Sequence, residues 1–134
     1  LDLRGEPDLA PVLAVVAAAA AVQARAGEGA SELTGLETLP GQESSRIEVL
    51  ARGLEACGWR VRAGDDRLAI AAPVGAPEGP LRLDPCGDHR MAFAFALLGL
   101  VRPGVRVADP GCVAKSWPGF WDDLRALGAD VRED

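Results

Sequence analysis

Two widely separated stretches of this chain carry one pattern, and that echo narrows the possible folds more than any other feature. Leu54-Glu55-Ala56-Cys57-Gly58-Trp59-Arg60-Val61 can be laid on Leu124-Arg125-Ala126-Leu127-Gly128-Ala129-Asp130-Val131, which aligns a helix end, a glycine and a strand start. Self-similarity of this kind restricts a chain to architectures built from repeated units. The unit is read as β-α-β-α-β-β, which makes the fold class α/β. Residues 1–72 form one copy, 73–80 a Pro/Gly-rich connector, and 81–134 a second copy. The first copy lacks its opening strand and the second its closing one. The chain therefore reads as cut from a larger repeating structure.

Local signals place the elements. Pro7 to Ala26 reads as a helix, with Asp8 as N-cap, Pro11 in the first turn and Gly27 as the stop. The alanines from Ala17 to Ala21 combine high helix propensity with little bulk, which suits close packing. A short strand at 30–34 and a loop through Gly35, Pro40 and Gly41 follow. From Glu43 to Cys57, Ile47, Leu50, Leu54 and Cys57 recur at helical spacing, and Gly58 supplies the end. A hairpin is expected from 59–62 and 68–72, across a turn rich in Gly and Asp. Beyond the connector come a strand at 81–84, a helix at 89–100, a strand at 105–109, a helix at 118–127 and a final strand at 129–132.

The chemistry-bearing residues cluster between Gly87 and Trp121. Asp88, His89 and Arg90 stand just before an apolar helical run, and Lys115, Ser116, Trp117 and Pro118 just before another. Free backbone N–H groups and the helix dipole favour an anion at such positions. Basic side chains delivered there point to a pocket for phosphate or carboxylate.

Composition excludes several alternatives. A net charge of -6 leaves no basic stripe for nucleic acid. With 134 residues, 49% of them hydrophobic and 25% charged, the chain can bury a core. The apolar run from Leu9 to Val22 is too short to span a membrane and lacks the basic start of a signal peptide. Cys57, Cys86 and Cys112 are widely spaced and there is one His, so no zinc site is expected. Reduced core or loop thiols fit a cytoplasmic protein.

Four segments then resemble one family. DHRMAFAF followed by DPGCVAKSWPGFWDDLRALGA is similar to the C-terminal signature of the 5-enolpyruvylshikimate-3-phosphate (EPSP) synthases. EPDLAPVLAVVAAAA resembles that family's P-D segment before an Ala-rich helix, and GLETLPGQESSRIEVLARGLEACG its K-E-S/T-D-R segment. The resemblance implies about the last third of a family member. It implies two of the three repeat units of one domain of the enolpyruvyl transferase fold, an inside-out α/β barrel with helices inside and sheets outside. The N-terminal domain would be missing.

The implied reaction transfers the enolpyruvyl group of phosphoenolpyruvate to the 5-hydroxyl of shikimate 3-phosphate and releases phosphate, without metal or cofactor. It needs a base for the hydroxyl, an acid/base for the methylene carbon, and cations for carboxylate and phosphate. By resemblance, Asp8 takes the hydroxyl proton and Glu43 serves the methylene group. Arg46 and Arg90 clamp phosphoenolpyruvate with planar forks suited to carboxylate or phosphate. Asp88 and His89 flank Arg90 and would orient it or share in proton transfer, and Lys115 supplies charge near the leaving phosphate. Gln42 stands where the family has a lysine facing the shikimate phosphate, and Ser45 stands where it has an Asp.

The joint presence of Asp88-His89-Arg90 and Lys115-Ser116-Trp117-Pro118 favours this family over UDP-N-acetylglucosamine enolpyruvyl transferase. The alternative from another class is a diverged, non-catalytic module that binds an anion or a partner domain. The piece alone is expected to be inactive, and to self-associate through apolar surface where its third unit belongs.

Overall fold

The computed structural model describes residues 1–24, 30–37, 45–75 and 77–133. Three helices share the interior. Helix α1 (Ala10–Gln23) packs against α3 (His89–Val101) and α2 (Arg46–Ala56), and α2 also meets α3. Small side chains permit the close approach: Ala10, Ala14, Ala18 and Ala21 of α1 are buried, opposite Met91, Ala94, Phe95 and Leu98 of α3. Helix α3 is enclosed on its other side too. There Ala92 and Ala96 pack with Val113, Phe120 and Leu124 in a second apolar cluster.

Sheets cover these helices. In the first half, β1 (Ser31–Leu33), β2 (Arg60–Ala63) and β3 (Leu68–Ala71) form an antiparallel sheet of order β1-β3-β2. Ile70 of β3 faces Ser31 on one side and Val61 on the other, and it is fully buried. Trp59, just before β2, donates its indole N–H to the carbonyl of Ala18 at 2.9 Å, which ties the sheet to α1. In the second half, β4 (Leu81–Leu83) and β5 (Val105–Val107) pair in parallel, and α4 (Phe120–Ala126) follows.

Several sequence expectations are corrected. Asp8 is not a helix cap: it lies within a short 3-10 turn, Pro7–Leu9, and the N-cap of α1 is Leu9, without a side-chain bond. Helix α1 ends at Gln23, and the expected stop at Gly27 lies outside the described residues. The first copy opens on an isolated bridge, not a strand. Leu3 donates to Thr34 and Thr34 to Leu1, which makes a parallel bridge between Asp2 and Thr34.

The aligned helix ends do share one geometry. Gly58 and Gly128 both have positive φ (105° and 98°), and each is followed by the same backbone bonds, Trp59 to Leu54 and Ala129 to Leu124. Only glycine adopts that left-handed conformation without steric cost. The two copies diverge immediately afterwards. Residues 60–63 find β3 to pair with, whereas the expected strand at 129–132 has no neighbouring strand among the described residues and is not one. Arg125 holds that segment instead, donating from Nε to the carbonyl of Val131.

The connector is pinned by an arginine that the sequence did not single out. Arg102, buried at the end of α3, donates to the carbonyls of Gly79 (3.2 Å) and Pro77. Cys57 is fully buried nearby. Burial pushes its thiol pKa up, partly offset by the Arg102 charge.

The helix approach makes a prediction at Gly53. A Cβ there would stand 2.5 Å from Phe95 Cε1, inside the core. Overpacking then outweighs alanine's higher helix propensity, so Gly53→Ala should lower the unfolding free energy by about 1–2 kcal/mol. The loss should shrink in a Phe95→Leu background. Denaturant titration checks this, and a midpoint at or above that of the parent chain would contradict it.

Candidate functional site

Four charged side chains from three distant segments meet where α1, α2 and α3 begin. Arg46 is the first residue of α2 and only 2% exposed. A cation at a helix N-terminus is opposed by the dipole, and a buried one is costly unless paired. Here two carboxylates pair with it. Its Nε donates to Asp88 Oδ2 at 2.8 Å, its Nη2 reaches Asp88 Oδ1 at 3.5 Å, and its Nη1 donates to Asp8 Oδ1 at 2.9 Å.

Asp88 serves two helices at once. It is fully buried and is the N-cap of α3, where Oδ1 accepts from the backbone N–H of Arg90 at 3.0 Å. The contact of Asp88 with Arg90 is to its backbone N–H, a helix cap. The pairing of Asp88 with Arg46 is not foreshadowed in the sequence. No local signal marks a contact between residues so far apart in the chain.

Asp8 bridges the two arginines. Oδ1 accepts from Arg46, while Oδ2 lies 3.2 Å from Arg90 Nη2. The Asp8 and Arg90 side chains are 45% and 40% exposed, so this edge of the network faces solvent. Two guanidiniums are matched by two carboxylates. The anion expected at the start of α3 is thus supplied by the chain itself.

His89 belongs to the adjoining aromatic cluster, and Lys115 ends the 3-10 helix beside it. The His89 ring meets Phe93 edge-on at 6.0 Å, and Phe93 in turn contacts Trp117 and Phe120. Lys115 closes a 3-10 helix, Pro110–Lys115, that packs against α3, and it is exposed. Trp117 and Trp121 fix this turn: their indoles donate to Asp123 Oδ2 (2.8 Å) and to the carbonyl of Pro110 (2.9 Å). The second helix start is less suited to an anion than expected. Helix α4 begins at Phe120, beyond the lysine cluster, and already carries Asp122 and Asp123 in its first turn. Gln42 and Glu43 lie outside the described residues, so the structure speaks to neither. Among the described residues no group of His, Cys, Asp and Glu side chains could hold a metal ion.

Burial separates the two arginines energetically. Removing Arg46 leaves Asp88 charged and buried without its partner, a cost of about 3–5 kcal/mol. Removing half-exposed Arg90 breaks a pair worth about 0.2–1 kcal/mol. Unfolding titrations of Arg46→Ala and Arg90→Ala should show that gap, and equal losses would refute the buried geometry.

Comparison with known proteins assigns the chain to a family. The sequence model of EPSP synthase (3-phosphoshikimate 1-carboxyvinyltransferase) matches residues 1–124. A 3-phosphoshikimate 1-carboxyvinyltransferase of Dehalococcoides mccartyi is 41% identical over 133 residues, covering 99% of this chain and 29% of that protein. One from Pseudomonas syringae pv. syringae is 40% identical over 129 residues, 93% of this chain and 29% of that protein. The solved EPSP synthase of Acinetobacter baumannii superimposes with a TM-score of 0.73 at 28% identity, covering 88% of this chain and 26% of that one. The chain thus spans under a third of the length of the curated relatives it matches. With the enolpyruvyl transferase fold and a family match over nearly its whole length, the chain belongs to the EPSP synthase family.

Proposed function

We propose that this chain is the C-terminal part of a 3-phosphoshikimate 1-carboxyvinyltransferase and supplies the phosphoenolpyruvate side of its active site. The observation that carries this reading is the convergence of Asp8, Arg46, Asp88 and Arg90 at three helix starts. Such a cluster offers what the reaction needs. Asp8 would take the proton of the 5-hydroxyl of shikimate 3-phosphate as its oxygen adds to phosphoenolpyruvate. Glu43 would deliver a proton to the methylene carbon and withdraw one as phosphate leaves. Arg46 and Arg90 would hold the carboxylate end, and Lys115 would stabilise the departing phosphate. His89 would support Arg90, and Gln42 would take the place of the family's lysine toward the shikimate phosphate. No cofactor or metal enters the reaction.

The two repeat units, 1–72 and 81–134 with connector 73–80, are two of three in one domain. The rest of that domain and a second, N-terminal domain complete the site, so the chain alone turns over no substrate. A cytoplasmic location is part of this proposal. Among the described residues no helix is long and apolar enough to cross a membrane.

The outer face of α1 supports the incompleteness. Leu9, Val12, Val16 and Val22 are each more than a third exposed, beside an open apolar groove of about 310 Å³ between α1 and β1. Apolar surface of that kind calls for a covering partner. We expect the isolated chain to dimerise at high concentration and Val16→Glu to weaken the dimer, as read by sedimentation. A monodisperse monomer would count against it.

The activity itself is tested on the full-length gene product, with phosphoenolpyruvate and shikimate 3-phosphate, by following phosphate release. Asp8→Ala, Glu43→Ala and Lys115→Ala should each lose about 10²–10⁴-fold in turnover. No turnover in a well-folded full-length protein would favour the non-catalytic module, to which the uncharged Gln42 and Ser45 lend weight.

A further inference from the structure

The segment that carries Lys115 is tied to α4 at both ends by tryptophan indoles. It leaves β5 through Asp109, whose backbone sits in the left-handed region (φ 46°, ψ 59°). A residue with a side chain adopts that conformation at a cost, so neighbouring contacts must hold it. The next residue makes the first tie: the carbonyl of Pro110 accepts from Trp121 Nε1 at 2.9 Å. At the far end, the backbone N–H groups of Ser116 and Trp117 both converge on the carbonyl of Val113, at 3.2 and 2.8 Å. Trp117 Nε1 makes the second tie, donating to Asp123 Oδ2 at 2.8 Å. Lys115 stands between the two, two residues before Trp117.

We propose that Trp117, Trp121 and Asp123 are positioning residues for Lys115. This rests on the reading that Lys115 serves the departing phosphate, and adds what holds it in place. Packing alone does not account for the choice of side chains. Trp117 meets Phe93 at 6.2 Å and Phe120 at 5.6 Å, and Trp121 meets Phe120 at 5.0 Å. Phenylalanine could make those ring contacts, whereas tryptophan adds an N–H donor. Trp117 is also 49% exposed, so burial of its ring is not the main gain. Asp123 is well placed to accept. It lies in the first turn of α4, where the helix dipole favours a carboxylate, and a charged acceptor strengthens the bond. Ties on either side of Lys115 fix the backbone from which its side chain extends. The help a cation gives to a departing anion depends on that placement.

The test is steady-state kinetics of the full-length gene product with phosphoenolpyruvate and shikimate 3-phosphate. Trp117→Phe and Trp121→Phe each keep a ring and remove the donor. A misplacement of about 1 Å costs about 10²-fold, and loss of one tie shifts the backbone by less. Each variant should therefore lower kcat about three- to ten-fold, with KM for shikimate 3-phosphate unchanged. Asp123→Ala should match Trp117→Phe, and Asp123→Asn, which keeps a neutral acceptor, should recover most of that loss. Should Trp121→Phe fail to fold, the exposed Trp117–Asp123 pair carries the test alone.

The deciding readout is the Lys115→Ala background. There Trp117→Phe and Trp121→Phe should cost nothing further, because they act through Lys115. A merely structural role would lower turnover by the same factor with and without the lysine. That result, or phenylalanine variants as fast as the parent, would overturn the proposal while leaving the enzyme reading standing. A Lys115→Ala protein as active as the parent would overturn both the proposal and the role of Lys115.

Discussion

A buried guanidinium has few ways to be tolerated, and the position of Arg46 dictates much of what surrounds it. At 2% exposure, and at the wrong end of a helix for a cation, it requires carboxylates at hydrogen-bonding distance. Asp88 supplies one from the start of α3 and Asp8 another from the turn before α1. Each contact crosses from one helix start to another. The three N-termini are thus held together by charge, whereas the helices behind them are held by alanine and leucine packing.

The same pairing divides the cluster into a rigid and a responsive part. Asp88 and Arg46 are sealed in the core, and Asp88 also caps α3, so the backbone that carries Arg90 is fixed. The side chains of Arg90 and Asp8 reach into solvent from that fixed base. Ring contacts among Phe93, Trp117 and Phe120 pack the turn after Lys115 onto α3.

Most of the elements were legible because they depend on local chemistry. The glycines after α2 and α4 sit at left-handed positions that little else adopts, and the paired alignment of Leu54–Val61 with Leu124–Val131 follows from it. Family resemblance added the site residues. What the sequence did not disclose was long-range. The Asp8 carboxylate satisfies two arginines instead of a helix end, a choice that local capping preferences cannot anticipate. The segment at 129–132 has the residues of a strand, but a strand exists only with a neighbour to pair with. Arg102 looks like an ordinary helix-end cation until the connector carbonyls fold over it.

The central claim is that Arg46 and Asp88 act as one buried unit on which the site is built. A double-mutant cycle of Arg46→Met and Asp88→Leu, read by denaturant unfolding, measures that coupling directly. Arg46→Met takes the guanidinium away from buried Asp88, Asp88→Leu leaves buried Arg46 with Asp8 alone, and the double change removes both buried charges, while the lost α3 cap cancels between the two Asp88 variants. The account predicts a coupling of about 1–3 kcal/mol, with the double variant less destabilised than the sum of the singles. Additivity to within about 0.5 kcal/mol would show that the two residues do not depend on each other.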